Sequence, residues 1–191
     1  MRRIVCGLVL ITAAASLSSI AAITAAYGSF KNAAVSATKH HGLPAYSANA
    51  IKHAYAAAET YALLRAMAVP PGRASQIVYR LGQANEVAEY YGRRTGKRDP
   101  TREIYKDLYN NTAGVVAAAF LEAGPGPAGP AERLALIARM TRQGIVLPGF
   151  ADSKIPAFEN GDDPLRSDLS LALASFKRDR ADIARTVLKA L

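Results

Sequence analysis

The segment Tyr105–Gly114, YKDLYNNTAG, places one Asp and two adjacent Asn inside a run that otherwise has helical periodicity. Such residues are poor helix formers because their short side chains compete for nearby backbone groups. At about 100° per residue, Asn111 falls within the apolar stripe formed by Ile104, Leu108, Val115 and Ala119. Asp107, Asn110 and Gly114 border that stripe, and Asp107 and Asn111 are neighbours at i and i+4. An earlier helical run puts His53 on one stripe with Asn49, Ala56, Thr60, Leu64 and Met67, away from Lys52, Glu59 and Arg65. An inward His and Asp on two helices can make a base with its orienting carboxylate, one side of a cation site, or a buried network that locks helix packing. Any of these must satisfy its polar groups, since an unpaired one in a core costs roughly 1–3 kcal/mol.

A third candidate helix, LGQANEVAEYYG, leaves its own contribution open. Ile77, Leu81, Ala84, Ala88 and Tyr91 form one apolar face, with Asn85 and Glu89 at its border. Glu86 lies opposite, near Gly82. A helix covered on one side only would leave Glu86 in solvent. A sandwiched helix would bury it, and Tyr79, Val87 and Tyr90 around the rest of the wheel favour that arrangement.

The elements that carry these residues are punctuated by Pro and Gly. Ser47 is a candidate N-cap for a helix to about Met67, stopped before Pro70-Pro71. A second helix runs from about Pro71 to Arg94. Asp99-Pro100 supplies a cap and a rigid first residue for a third, to about Ala123. GPGPAGP, 124–130, cannot continue a helix. A fourth helix then reaches Gly144, an irregular Pro/Gly/Asp-rich stretch follows to Asp163, and the chain closes on one bent helix or two. The expected fold is all-α: a compact multi-helix bundle with a core domain at 47–123, a linker at 124–130, and C-terminal helices packing on the core at 131–191.

The first 26 residues read differently. Met1-Arg2-Arg3 precedes a run with no charge until Lys31, rich in Ala, Ser and Thr. A basic start, an apolar stretch and small residues form a secretory signal peptide, with cleavage after Ala21 or Ala26. The competing reading is an uncleaved anchor. Residues 27–46 read as a flexible, polar lead-in with a turn at Gly42-Leu43-Pro44. Export to a periplasm or exterior follows from the signal reading. It also removes Cys6, the only cysteine, and with it disulfides, thiol catalysis and cysteine-ligated zinc.

Loss of Arg2 and Arg3 takes Lys+Arg from 24 to 22 against 15 acidic residues, a net charge of +7. A basic exported protein favours anionic lipid or cell-envelope polymers as partners. The densest basic run, GRRTGKRDPTR at 92–102, is a loop between helices, solvated or used as a contact surface. Nucleic acid is not expected, because no zinc-finger, RNA-recognition or helix-turn-helix pattern is present. HExxH, GxSxG, Walker A and Rossmann patterns are also absent. His40-His41 has no third ligand nearby, and DSKIPAFENGDD lacks EF-hand spacing.

Taken in order, NAIKHAYAAA (Asn49–Ala58), GQANE (Gly82–Glu86) and DLYNNTAG (Asp107–Gly114) resemble a family of small helical bacterial domains found in secreted and toxin-like proteins. That family is similar to a lipid-associated assemblage including Wnt cores, serum amyloid A and the TelC toxin domain. The resemblance spans about 65 residues and none of the C-terminal third. It implies an inward site of His53, Glu86, Asp107 and Asn111, and hence the sandwiched second helix. The activity it implies is hydrolysis or exchange at the phosphoester of a lipid headgroup. His53 would be general base or nucleophile, Glu86 and Asp107 would orient it or hold a divalent cation, and Asn110 or Asn111 would bind phosphate oxygens. Asn49 and Asn85 flank the same motifs as further candidate binding groups. Hard oxygens with one imidazole suit Mg²⁺, Ca²⁺ or Mn²⁺. The chain departs from the pattern where Asn85 and Tyr109 stand in place of His, which implies altered or absent catalysis. The alternative is a non-enzymatic envelope module in which the same residues form a buried network.

Overall fold

The computed structural model describes residues 29–92, 100–126, 128–149, 154–156 and 164–191. The expected signal segment, Asp99 and most of the basic loop lie outside the described residues. Six helices and no strand appear among those described: α1 (29–40), α2 (Ser47–Ala66), α3 (Pro71–Gly92), α4 (Pro100–Glu122), α5 (Pro130–Arg142) and α6 (Pro164–Lys189). The architecture is an all-α bundle. No described helix is long and apolar enough to cross a membrane.

α4 is the axle. Every residue from Ile104 to Val115 is buried, so the helix is covered on all sides, by α2, α3, α5 and α6. A helix enclosed in this way is normally apolar all round. This one carries Lys106, Asp107, Asn110, Asn111 and Thr112 in the same span, all buried. Each must find its partner inside the protein.

The closest approach is between α2 and α4. Ala50, Ala54, Ala57 and Ala58 on α2 are buried with Ala113, Ala117 and Ala118 on α4. At Gly114 the two backbones nearly touch: an added Cβ would lie 1.9 Å from the Ala54 carbonyl oxygen. The missing side chain at Gly114 therefore accommodates a neighbouring backbone, and the group that comes close is α2 itself.

α5 and α6 belong to the same core as α2–α4. Leu136, Ile137 and Met140 of α5 and Leu169, Ala172, Phe176, Ile183 and Val187 of α6 join one continuous apolar cluster. Phe176 meets Tyr79 edge-on at 6.4 Å between ring centroids, and Tyr105 donates to Asp179 at 3.1 Å. Glu59 of α2 accepts two hydrogen bonds from the Arg133 guanidinium, at 2.6 and 2.8 Å. The Gly/Pro segment is thus a bend within one core.

Three expectations change. Residues 29–40, read as lead-in, form a helix with Ala34, Ala37 and Thr38 buried, and the turn falls at Gly42 with φ +61°. Ser47 is buried in the first turn of α2, whose N-cap is Tyr46 with no side-chain cap bond. The third change is the rotation of α3. Its apolar face points outward, leaving Leu81 46% and Tyr91 69% exposed and Ala84 and Ala88 at the surface, while Ala74, Val78, Tyr79 and Glu86 turn inward. The physical reason lies on α4, whose polar residues need polar partners and whose Asn111 needs room. Gly82 provides that room, since a Cβ there would stand 2.7 Å from Asn111 Nδ2.

Two outcomes follow. Gly114→Ala should cost about 3 kcal/mol or more, because a clash with backbone cannot be relieved by a rotamer change; an unchanged urea midpoint would contradict the α2–α4 contact. Leu81→Ser should lie within about 0.5 kcal/mol of wild type, whereas Val78→Ala should lose more than about 1 kcal/mol. Thermal melts giving the reverse order would mean that α3 packs by its Leu81 face instead of its Val78–Glu86 face.

Candidate functional site

Three helices deliver one ionisable group each to a single point. His53 comes from the middle of α2, Glu86 from the inward face of α3 and Asp107 from α4. They are 5%, 1% and 3% exposed. His53 Nε2 lies 3.5 Å from Asp107 Oδ2. One nitrogen or carboxylate oxygen from each of the three residues lies within 4.8 Å of the others. The expected His53–Asp107 pairing is present and Glu86 is buried, but α3 is not sandwiched: it is covered on the Glu86 side, and its Leu81–Tyr91 face is exposed.

The supporting residues divide. Asn111 is buried one turn along from Asp107 and packs on Gly82, itself one turn before Glu86. Asn85 donates to Glu86 Oε1 at 3.4 Å and to Glu89 Oε1 at 3.3 Å, so it orients the α3 carboxylates from the side. Asn110 does not join them. Its amide donates to the Leu147 carbonyl at 3.0 Å and accepts from the Leu147 N–H at 2.8 Å. It pins the irregular segment after α5, because buried backbone outside a helix or sheet needs a side-chain partner. Asn49 also stays apart, exposed at the surface one turn before His53. His40 and His41 meet edge-to-face outside the cluster, at 4.9 Å between centroids.

Lys106 is the residue that sequence reasoning missed. It is buried, and its ammonium sits 3.3 Å from Asp107 Oδ1 and 3.9 Å from Glu103 Oε1. Asp107 Oδ1 accepts no hydrogen bond, so the contact is one of charge without directional alignment. The signal was available: on a helix enclosed on every side, a lysine next to an Asp has nowhere to be solvated.

Burial holds the His53 imidazole below its ordinary pKa, with the Asp107 charge partly opposing that shift and Lys52 and Lys106 adding to it. The ring is therefore neutral at neutral pH and has one nitrogen lone pair for a proton or a metal. A neutral imidazole and two carboxylates form a hard donor set suited to Mg²⁺, Mn²⁺ or Ca²⁺. Binding would require the donors to contract, since ligands around such ions sit about 2.0–2.6 Å from the metal.

Two surface cavities are found elsewhere. One, of about 430 Å³, is lined by Tyr61, Arg65, Glu122 and Arg133 among others. The other, of about 450 Å³, lies between His41, Leu121, Leu136 and Arg142. Neither is lined by a residue of the cluster. Among the described residues, the cluster is buried and these two cavities do not reach it. Comparison with protein-family models, curated proteins and solved structures finds no match.

The lowered His53 pKa fixes the sign of a pH effect. The unfolded chain takes up the proton near the ordinary value of about 6.5, while the folded protein resists it, so stability contributed by neutral His53 is present above that pH and is lost on acidification below it. Thermal melts from pH 8 to 5 should show wild type losing more stability than His53→Gln below about pH 6.5; parallel profiles would mean that His53 titrates alike in both states.

Proposed function

We propose that this is an exported helical protein whose His53–Glu86–Asp107 cluster acts at the phosphoester of a lipid or lipid-linked headgroup, as a hydrolase or transferase. The observation that carries the reading is the convergence of three buried ionisable groups from three helices. Burial of such groups is costly, and perturbed titratable clusters gather where chemistry is done. In this reading the neutral His53 is the general base. It takes the proton from an attacking water or substrate hydroxyl as the new P–O bond forms, and returns it to the leaving alcohol oxygen as the original P–O ester bond breaks. Glu86 and Asp107 hold a divalent cation, Mg²⁺, Ca²⁺ or Mn²⁺, which would polarise a phosphoryl oxygen. Asn111 offers an amide to a phosphate oxygen, and Asn85 steadies Glu86. The net positive charge of the chain favours anionic lipid or envelope polymer as the setting. Because the cluster is enclosed, substrate reaches it only when a wall helix moves.

A second reading is favoured by a specific contact, the Lys106–Asp107 pair. A buried lysine already neutralising Asp107 is what a structural ion network needs. In that case the protein is a non-enzymatic envelope module and the cluster specifies helix packing.

Purified protein assayed on phospholipids and lipid-linked cell-wall precursors, with and without a chelator, separates the two. The catalytic reading expects turnover that the chelator abolishes. Asp107→Asn should then reduce it at least about a hundredfold, with a stability loss of about 1–3 kcal/mol, because Lys106 can turn toward Glu103. No turnover on any of these substrates, with the same modest stability loss, would leave the structural network as the reading.

A further inference from the structure

The position of Lys106 is poorly explained by packing alone. Lysine is among the residues least often fully buried, and this one is held in the covered span of α4 by two carboxylates on its own helix. Glu103 lies one turn before it and Asp107 directly after it. The ammonium is 3.3 Å from Asp107 Oδ1 and 3.9 Å from Glu103 Oε1. The other oxygen of Asp107, Oδ2, faces His53 at 3.5 Å. One carboxylate therefore presents one oxygen to the lysine and the other to the three-residue cluster.

We propose that Lys106 is the resting counter-ion of the His53–Glu86–Asp107 site, an internal cation that a divalent metal displaces toward Glu103. The inference rests on the cation reading above and adds its regulation. Two cations on one carboxylate repel each other strongly where water is scarce. A divalent ion held by Oδ2 and Glu86, beside His53, would weaken the hold of Asp107 on the ammonium. The lysine stem is flexible and its ammonium is a compact point charge. Its contact with Oδ1 is not a directional hydrogen bond. Glu103, within reach on the same helix face and only partly buried, receives it. The protein thus keeps its buried carboxylates compensated with or without metal, and metal affinity is set by competition with an ammonium built into the fold.

The test uses metal-stripped protein, calorimetric titration with Mn²⁺, and amine-reactive footprinting of Lys106 with and without Mn²⁺. Lys106→Met should bind Mn²⁺ at least about tenfold more tightly than wild type, since the competitor is gone. Glu103→Gln should bind several-fold more weakly, since the displaced ammonium loses its receiver. In wild type, Lys106 should be protected without metal and become reactive when Mn²⁺ is added. Glu86→Gln should abolish binding and the change in reactivity together. If wild type binds Mn²⁺ but Lys106 labelling does not change and Lys106→Met binds no tighter, the lysine is a fixed structural cation and only this inference is lost. If neither protein binds Mn²⁺, the cation reading falls and the inference with it. Should Lys106→Met fail to fold, the wild-type footprint and Glu103→Gln still decide between these outcomes.

Discussion

The enclosure of α4 is the constraint on which the rest of the structure depends. A helix covered on every side from Ile104 to Val115 leaves no route to water for the polar groups it carries. Each neighbour is shaped by one of those groups. Asn110 takes both backbone groups of Leu147 and so fixes where the chain goes after α5. Thr112 returns its hydroxyl to the Leu108 carbonyl at 3.0 Å and needs nothing else. Asn111 requires a gap, which Gly82 provides. Asp107 requires cations or donors, and His53 and Lys106 stand on its two sides.

The rotation of α3 follows from the same constraint. Turning its apolar face inward would gain hydrophobic burial, on the order of 25 cal/mol per Å². It would also leave Asp107 and Asn111 facing Leu81, Ala84 and Ala88, with desolvated polar groups unmatched at roughly 1–3 kcal/mol each. The observed orientation puts Gly82 and Glu86 against α4 and keeps Val78 and Tyr79 in the apolar cluster. Enough hydrophobic contact is retained because α3 is apolar on more than one side.

The same comparison explains what could be read from the sequence. The limits of α2 to α5 were legible because Pro70-Pro71, Pro100 and the Gly/Pro run impose backbone limits that no tertiary context overrides. The inward facing of His53 and Asp107 was legible, but the stripe expected for His53 was not. α2 buries Ala50, Ile51, Ala54, Ala57, Ala58 and Tyr61, while Asn49 and Met67 are exposed and Ala56, Thr60 and Leu64 are half-buried, because α4 packs on the small-residue face. The facing of α3 was not legible, since periodicity reports where apolar residues lie and not which side another element covers. Lys106 was missed for a related reason: a wheel treats every lysine as a candidate for solvent, and only the enclosure of α4 removes that option. Asn110 and Asn111 are adjacent, so their types could not reveal that one would hold a loop and the other would face α3. The helix at 29–40 is small and polar in composition, and its burial rests on only a few residues such as Ala34 and Ala37.

Charge balance links the fold to the chemistry. Glu86 and Asp107 bring two carboxylates into a space where Lys106 supplies a positive charge and burial keeps His53 neutral. Buried carboxylates need positive charge or donors around them, since an uncompensated buried ion is expensive. Protonation of His53 adds positive charge at the cost of charging a buried imidazole. In the proposed reading a cation between the three residues does the same, and a lysine that shares its carboxylate with Glu103 makes room without leaving the protein. A network selected only for stability would have been simpler with Lys106 and one carboxylate, or with apolar residues of the same volume. In the proposed reading, the second carboxylate and the neutral imidazole on separate helices are the components of a proton-accepting, cation-holding centre.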